Sequence, residues 1–412
     1  MSGKHRRTRR QRSVLAIGTA LSIVCIVAAG GLWYVNNWFS GISRVTIVHA
    51  TDTVAPFAAA GPDTPPTTTA TVTGDGITTT EPIAPATRSV NVLLTGSDGR
   101  ACISPSSPYA GAFLGNGSNT GARSDTILVL HLDPTGKQMS LLSFPRDLWI
   151  PIAGSKRKDR INSAFDPVDP NPLIQTIESN FGIRIDHYIG VDFCAFKSLV
   201  DAVGGIAIPF AYPARDTHTG LNVPDTGCHA MSGDEALAYV RSRYYEHQVN
   251  GRWIDDGLSD YGRIARQQDF IRRLASKALA AGALNPVTAK RLLDAARNSN
   301  VRIDDGLSLT DLLHLGRSVR DLGPQNATSY RVEGKGTTIG GADVIIPDLT
   351  SATSKAMLAL FRGQPTTLTQ QPTTASTNAS TTPEPADTAP PTTLPTGSNM
   401  LGIYPPADAT CT

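Results

Sequence analysis

The groups in this chain best equipped for chemistry are arginines and aspartates set in pairs. Arg123-Ser124-Asp125 and Arg146-Asp147 stand at opposite ends of one apolar stretch that runs from Ile127 to Phe144. Asp98 and Arg100 close an earlier apolar run, Arg160 follows Asp159, and Arg241 and Arg243 end a helical pattern. Arg263, Arg266 and Gln267 fall at i, i+3 and i+4 of a further helical pattern and so share a face. Taken alone, an Arg/Asp pair at a strand end is most often a salt bridge. Gathered, these groups hold more guanidiniums than a structural network of so few acids needs. The planar fork of arginine binds phosphate bidentately, and carboxylates beside it hold Mg2+ on the same phosphate oxygens. A pyrophosphate ligand suits that mixture.

Other chemistries lack their residues. There is no GxxxxGK(S/T) loop for nucleotide phosphates and no GxSxG elbow, and the eight histidines show no pairing with a nucleophile. His131 and His187 lie within strand patterns and read as packing residues. Cys228-His229 with His218 nearby lacks the CxxC or HExxH spacing of a zinc site.

A hairpin must position the first group. Ile127 to Leu132 and Met139 to Phe144 are split by Asp133-Pro134-Thr135-Gly136, a type I turn signal, so both Arg/Asp pairs meet at the end away from the turn. Val90 to Leu94 is a buried strand that delivers Asp98 and Arg100 through a small-residue turn. Asn171 to Phe181 has helical spacing, His187 to Val191 is a strand, and Asp192 caps a helix that Gly204-Gly205 stops. Ser232-Gly233-Asp234-Glu235 is a capping box for the helix carrying Arg241, and Asp260 is expected to cap the helix bearing Arg263. Apolar strands alternating with amphipathic helices predict an α/β fold, a three-layer α-β-α sandwich with a mixed central sheet.

The ends of the chain are of another kind. Residues 1–12 form a basic tail, and residues 13–35 carry no charge over a length sufficient to cross a bilayer. Basic residues before that run and none directly after it predict a single-pass anchor with the N-terminus cytoplasmic and the remainder extracytoplasmic. The run exceeds the apolar region of a cleaved signal and no small-x-small site follows, so the anchor is expected to be retained. Setting aside the tail's six of 37 basic residues leaves 31 against 35 acidic ones. A folded part near −4 is unlike a nucleic-acid protein, so no nucleic-acid partner is expected. Residues 36–87 and 364–412 are rich in Thr, Pro and Ala and read as a linker and a tail too poor in apolar residues to order. Between them, 88–282 reads as the catalytic domain and 283–363 as an extension packed on it. Four cysteines outside the span, Cys102, Cys194, Cys228 and Cys411, sit in an oxidising compartment, where three pairings are open to them.

Seven segments, in order, resemble the LytR-CpsA-Psr family. They are Gly96-Ser97-Asp98-Gly99-Arg100, Arg123-Ser124-Asp125-Thr126, Ser143-Phe144-Pro145-Arg146-Asp147, Arg160-Ile161-Asn162-Ser163-Ala164, Leu199 to Gly205, Ala236 to Arg243 and Gly262 to Gln268. The resemblance covers Val90 to Leu279 and implies a membrane-anchored ligase of bacterial cell-wall glycopolymers. Such enzymes transfer a glycopolymer from a polyprenyl-diphosphate carrier to a peptidoglycan hydroxyl, form a phosphodiester and release polyprenyl phosphate.

By this similarity, Asp98 and Asp125 hold Mg2+. Arg123, Arg146, Arg241, Arg243 and Arg263 grip the diphosphate, with Arg100, Arg160, Arg266 and Gln267 in support. Asp98, Arg123, Arg146 and Arg263 are the residues expected in catalysis, with Asp98 first among the carboxylates that can accept the proton of the attacking hydroxyl. The partners implied are the lipid-linked glycopolymer, peptidoglycan and the membrane. Two departures stand out. Arg160 occupies the place of a family lysine, and the inserts Ala101 to Ala122 and Tyr244 to Asp260 are longer than expected, as suits a part in acceptor or polymer selectivity. The same arginines would also serve a polyprenyl-phosphate scaffold without turnover, or a diphosphatase with water as acceptor.

Overall fold

The computed structural model describes residues 37, 39–50, 89–99, 102, 107, 109, 124–133, 138–284, 286–308, 310–312, 315, 327–364 and 411. Its centre is the expected hairpin. Strands β1 (Ser43–Val45), β2 (Val90–Ser97), β3 (Ser124–Leu132) and β4 (Met139–Ser143) come first in chain order. β3 and β4 pair antiparallel from Leu128↔Ser143 to Leu132↔Met139, and every residue of β4 is buried, its serines included. β5 (Trp149–Pro151), β6 (Lys158–Arg160), helix α1 (Asn171–Phe181), β7 (His187–Asp192) and helix α2 (Phe193–Ala202) follow. Next are β8 (Ile206–Phe210), β9 (Ala214–Asp216), β10 (Leu221–Val223), β11 (Gly227–Met231), α3 (Gly233–Arg241), β12 (Glu246–Val249), β13 (Arg252–Asp255), α4 (Ser259–Leu284) and α5 (Pro286–Asn298). The chain continues through β14 (Arg302–Asp304), β15 (Ala327–Arg331), β16 (Gly334–Ile339), β17 (Ala342–Pro347) and α6 (Ala352–Phe361).

The main sheet has the order β1-β14-β7-β2-β3-β4-β15. It is mixed: β2 runs antiparallel to β3 and parallel to β7, while β15 runs parallel to β4. Strand periodicity splits the apolar residues between two faces. Tyr188 of β7 joins Leu93, Ile127, Val129 and Leu142 under α1 and α6, whereas Ile189 and Val191 join Ile303 under α2 and α5. The sheet is thus covered by helices on both sides, as the alternating pattern predicts.

Two boundaries differ from the sequence reading. β1 lies inside the expected linker 36–87, where Phe39 and Ile42 are buried and Ser43↔Arg302 pairs the strand to β14. The expected extension 283–363 supplies β14 and β15 to the main sheet, and Met357, Leu358 and Phe361 of α6 to its core. Segments such as Arg302-Ile303-Asp304 are too short and too charged to show a strand alternation, and their pairing comes from the neighbouring strand.

Local signals set the helix starts. Asp192 accepts from Ala195 N at 2.7 Å, and Ser232 and Glu235 complete their reciprocal capping box. Two disulfides select one of the three pairings. Cys102–Cys194 ties the segment after β2 to α2, and Cys228–Cys411 ties the C-terminus to β11. The expected span at 13–35 lies outside the described residues; among those described, no helix is long and apolar enough to cross a membrane.

Candidate functional site

At one end of β2, β3 and β4 the sheet gathers its functional residues. The β2–β3 register slips between Gly96↔Thr126 and Ser97↔Ser124, which leaves Asp125 as the extra residue of a bulge. A bulge leaves one residue unpaired and bends the strand. Ser124 fixes this one, its Oγ donating to Gly96 O at 3.0 Å and meeting Thr126 O at 2.7 Å. The bulge therefore sets Asp125 beside Ser97 and one residue from Asp98. Gly99 follows because nothing larger fits: a Cβ there would meet Asp192 Oδ2 at 2.5 Å. Arg100, Arg123 and the side chain of Asp125 lie outside the described residues.

From the same end of β4 the chain passes through Pro145 to Arg146 and Asp147. Arg146 Nε lies 3.3 Å from Asp147 Oδ2, and Arg160 Nη1 lies 3.3 Å from Asp147 Oδ1. Asp147 is a hinge between two guanidiniums. The return strand is held in place by Ile161 N donating to Leu148 O and Asn162 N to Arg146 O. The three side chains are 27%, 28% and 37% exposed, so the cluster is open to solvent.

The helices supply a second cluster of the same composition. Arg243 Nε and Arg263 Nη2 each lie 2.9 Å from Asp260 Oδ1. Here Arg263 is only 3% exposed. Asp260 is not the expected helix cap. Leu258 O accepts from Tyr261 N and Gly262 N to close the first turn, and Asp260, already within the helix, is left to join the two arginines. Gly262 sits in a crowded place, where an added Cβ would lie 2.9 Å from Asp256 Oδ2.

Arg266 and Gln267, expected to support the diphosphate, turn inward. Arg266 is 1% exposed; its Nη1 pairs with Asp256 at 3.0 Å, its Nη2 donates to Ser242 O at 2.7 Å, and it stacks on Tyr245. Gln267 donates to Val240 O at 3.1 Å. Both therefore satisfy carbonyls that the end of α3 leaves without helical partners. Their contribution is to hold the segment that presents Arg241 and Arg243. The Arg241 guanidinium lies 4.5 Å from the centre of the Phe193 ring. Asp216, which the sequence reading passed over, works from the other side. Fully buried, it accepts from Ser242 Oγ at 2.7 Å and from the backbone N–H groups of Arg243 and Tyr244 at 3.1 and 3.0 Å. Its only signal was an Asp followed by Thr217-His218-Thr219, a turn pattern.

A small cleft lined by Pro145, Asp260, Tyr261, Ile264, Arg331 and Val332 among others meets the helix cluster at Asp260 and adjoins the strand-end cluster only through the residue before Arg146. Pro145 precedes Arg146, and Asp260 carries Arg243 and Arg263. Arg331 was also missed, because it falls in a stretch read as packing. It pairs in register with Ser143, lies 3.7 Å from the Tyr261 ring centre and donates to Glu333 at 3.0 Å. Among the described residues, its Nη1 is buried without a hydrogen-bond partner. An Arg flanked by Tyr330 and Val332 in a strand pattern was the available signal.

The arrangement is cationic, rigid on the helix side and open on the strand side, with carboxylates at neighbouring strand ends. The model of the LytR_cpsA_psr family matches residues 65–357. The chain belongs to the LytR-CpsA-Psr family. The match runs through β14 and β15 and into α6, in keeping with their place in the main fold. Among curated LytR-CpsA-Psr relatives, the chain is 38% identical over 202 residues to a probable cell wall biosynthesis protein, LcpB, of Corynebacterium glutamicum, covering 48% of this chain and 45% of that one. It is 30% identical over 224 residues to a polyisoprenyl-teichoic acid–peptidoglycan teichoic acid transferase, TagU, of Halalkalibacterium halodurans, covering 54% and 68%. The chain spans about half the length of LcpB and of the TagV transferase of Bacillus subtilis. In structure it is similar to the crystal structure of Bacillus subtilis TagV, with a TM-score of 0.51 at 23% identity over 68% of this chain and 98% of that one.

Proposed function

We propose that this protein is a membrane-anchored phosphotransferase that moves a glycopolymer from a polyprenyl-diphosphate carrier to a hydroxyl of peptidoglycan. The observation that carries the reading is the pair of clusters Arg146–Asp147–Arg160 and Arg243–Asp260–Arg263, each with two guanidiniums on a single carboxylate. Paired guanidiniums of this kind suit the two phosphates of a diphosphate. Named activities of relatives such as TagU support the same class of substrate.

In the reaction, the acceptor hydroxyl oxygen forms a bond to the phosphorus that carries the glycan. The bond from that phosphorus to the bridging oxygen breaks, and polyprenyl phosphate leaves with the electron pair. The hydroxyl proton passes to a carboxylate of the cluster, with Asp98 assigned that role. Arg146 and Arg263 hold the non-bridging oxygens, where charge is largest in the transition state, and Arg123, Arg241 and Arg243 complete the grip with Arg100 and Arg160 beside them. Phosphoryl transfer rests mainly on positioning and charge stabilisation, so a guanidinium clamp needs no covalent nucleophile. Arg266 and Gln267 act through α3. Asp98 and Asp125, at adjacent strand ends, fit Mg2+, which takes one or two carboxylates together with phosphate oxygens. Bound there, Mg2+ would neutralise charge on the diphosphate.

The uncharged run at 13–35 supports an anchor that holds the site on the extracytoplasmic side, within reach of a membrane-borne carrier and of the wall. The test is a purified assay with a lipid-linked glycan and peptidoglycan strands, reading polyprenyl phosphate and a glycan phosphodiester together. Release of polyprenyl phosphate with free glycan phosphate as the sole second product indicates a diphosphatase, and binding without release a scaffold.

A further inference from the structure

The long insert between Arg243 and Asp260 builds a feature that phosphate transfer does not use. Strands β12 and β13 form a hairpin, extended by β9 and β10 into a sheet of order β10-β9-β12-β13. One face of this sheet is core: Ala214, Leu221, Val223 and, one residue before the hairpin, Tyr245 are buried with α3. Alternation sends the next residues outward. In register across that outer face stand Arg215, Glu246 and Asp255, and one step along, Gln248 opposite Trp253. Arg215 donates to Glu246 at 2.6 Å and lies 4.2 Å from the Trp253 ring centre. At the root of the hairpin, Tyr244 is 55% exposed and stacks on His218 at 4.1 Å.

We infer that this face is a saccharide platform for the glycan of the diphosphate-linked donor. The inference rests on the proposed diphosphate site and extends it. The exposed ring of Tyr244 and the half-buried ring of Trp253, with amide, carboxylate and guanidinium groups between them, are the chemistry of a sugar site, since rings cover the C–H faces of a pyranose while polar groups take its hydroxyls. The compensated Arg215–Glu246 pair and Asp255 give the face no surplus cation for a polyanion, and its polarity does not suit a polyprenyl chain.

Continuity selects the donor as occupant. The chain enters the hairpin directly from Arg243 and leaves it through Asp256 to Asp260, and Arg243 and Asp260 are themselves 2.9 Å apart. The hairpin is therefore rooted in the cluster assigned to the phosphates, and the sugar joined to a diphosphate held there comes first to Tyr244. From Tyr244 to the level of Trp253, opposite Gln248, is four residues of strand or roughly 13 Å, room for a short oligosaccharide.

The test compares wild type, a Tyr244→Ala/Trp253→Ala double variant and a Tyr244→Phe/Trp253→Phe double variant, all as the full chain. Three probes are titrated: farnesyl diphosphate, farnesyl diphosphate joined to a disaccharide of N-acetylhexosamines, and uncross-linked peptidoglycan strands. Wild type is expected to prefer the glycosylated diphosphate. The alanine pair loses about tenfold in affinity for it, the scale of one ring contact from each position. The same variant keeps its affinity for farnesyl diphosphate, and the phenylalanine pair recovers most of the loss. Wild-type binding of farnesyl diphosphate with no preference for the glycosylated form overturns the platform alone, as does a loss confined to peptidoglycan strands, which would make the face an acceptor surface. Failure of wild type to bind either diphosphate overturns the phosphate site and the platform with it.

Discussion

Two clusters of equal composition differ in the solvent exposure of one arginine. In the strand-end cluster, Arg146 and Arg160 reach Asp147 over 3.3 Å with every member about a third exposed. In the helix cluster, Arg243 and Arg263 reach Asp260 over 2.9 Å; Arg243 and Asp260 are 29% and 36% exposed, but Arg263 is almost wholly enclosed. Exposed ion pairs contribute little to stability because water and salt screen them. A buried guanidinium is costly to hold without compensating charge, so Arg263 is coupled to its partners more tightly than an exposed pair is. Under the proposed function the comparison separates two duties: the strand-end cluster releases its internal pairs to follow a ligand, while Arg263 makes the helix cluster the more fixed anchor.

The sharpest way to break that division is Arg263→Ala. Its removal is expected to lower transfer, and affinity for a short polyprenyl diphosphate, by about 100-fold or more, the scale of a desolvated charge-assisted contact. Next is Arg266→Met, which should cost roughly 3 kcal/mol in stability by denaturant titration, because Asp256 is left buried without its partner. Its effect on transfer should follow the loss of fold, and a variant of full stability but no activity would place Arg266 on the ligand instead. Arg146→Ala should weaken diphosphate binding about tenfold while stability changes by less than about 1 kcal/mol. Equal stability losses for Arg146→Ala and Arg263→Ala would erase the contrast between open and closed clusters. Smaller still, Arg331→Lys should lower affinity severalfold, since the lone ammonium loses the fork whose Nη1 has no hydrogen-bond partner among the described residues.

The smallest effect is a pH dependence of opposite sign in two sheet histidines. The hydrogen bond to Asp304 raises the pKa of His187, so its contribution is complete below about pH 6.5 and lost as pH rises through the raised value. Burial lowers the pKa of His131, whose Nδ1 lies 2.7 Å from Asn91 Oδ1. Its contribution is present above about pH 6.5 and lost as pH falls through the lowered value. Stability curves of His187→Gln and His131→Gln should therefore diverge from wild type at opposite ends of the range.

The open cluster was legible in the sequence because local rules build it. An apolar hairpin with a Pro-Gly turn brings its two ends together whatever surrounds it, and Arg146 and Asp147 follow directly from the strand. The helix cluster was half legible. Spacing puts Arg263, Arg266 and Gln267 on one face, but a face 3.6 residues in period does not say which of its members meets the neighbouring helix end and which meets the cleft. Asp260 has the identity of a cap and the partners of a counter-ion, a choice made by Arg243 from seventeen residues earlier. Arg331 and the short strands β1, β14 and β15 owe their roles to register with distant strands, which no window of local sequence contains. The disulfide pairing belongs to the same class, since its sulfurs are brought together over 92 and 183 residues.

The central claim is that the two clusters hold one diphosphate between them. It is tested most directly by a double-mutant cycle on the affinity for farnesyl diphosphate, using wild type, Arg146→Ala, Arg263→Ala and the pair. The account predicts coupling, with the double variant losing clearly less than the two single losses combined, because each guanidinium depends on the other to fix the shared ligand. Independent losses, or no loss in either single variant, would contradict it.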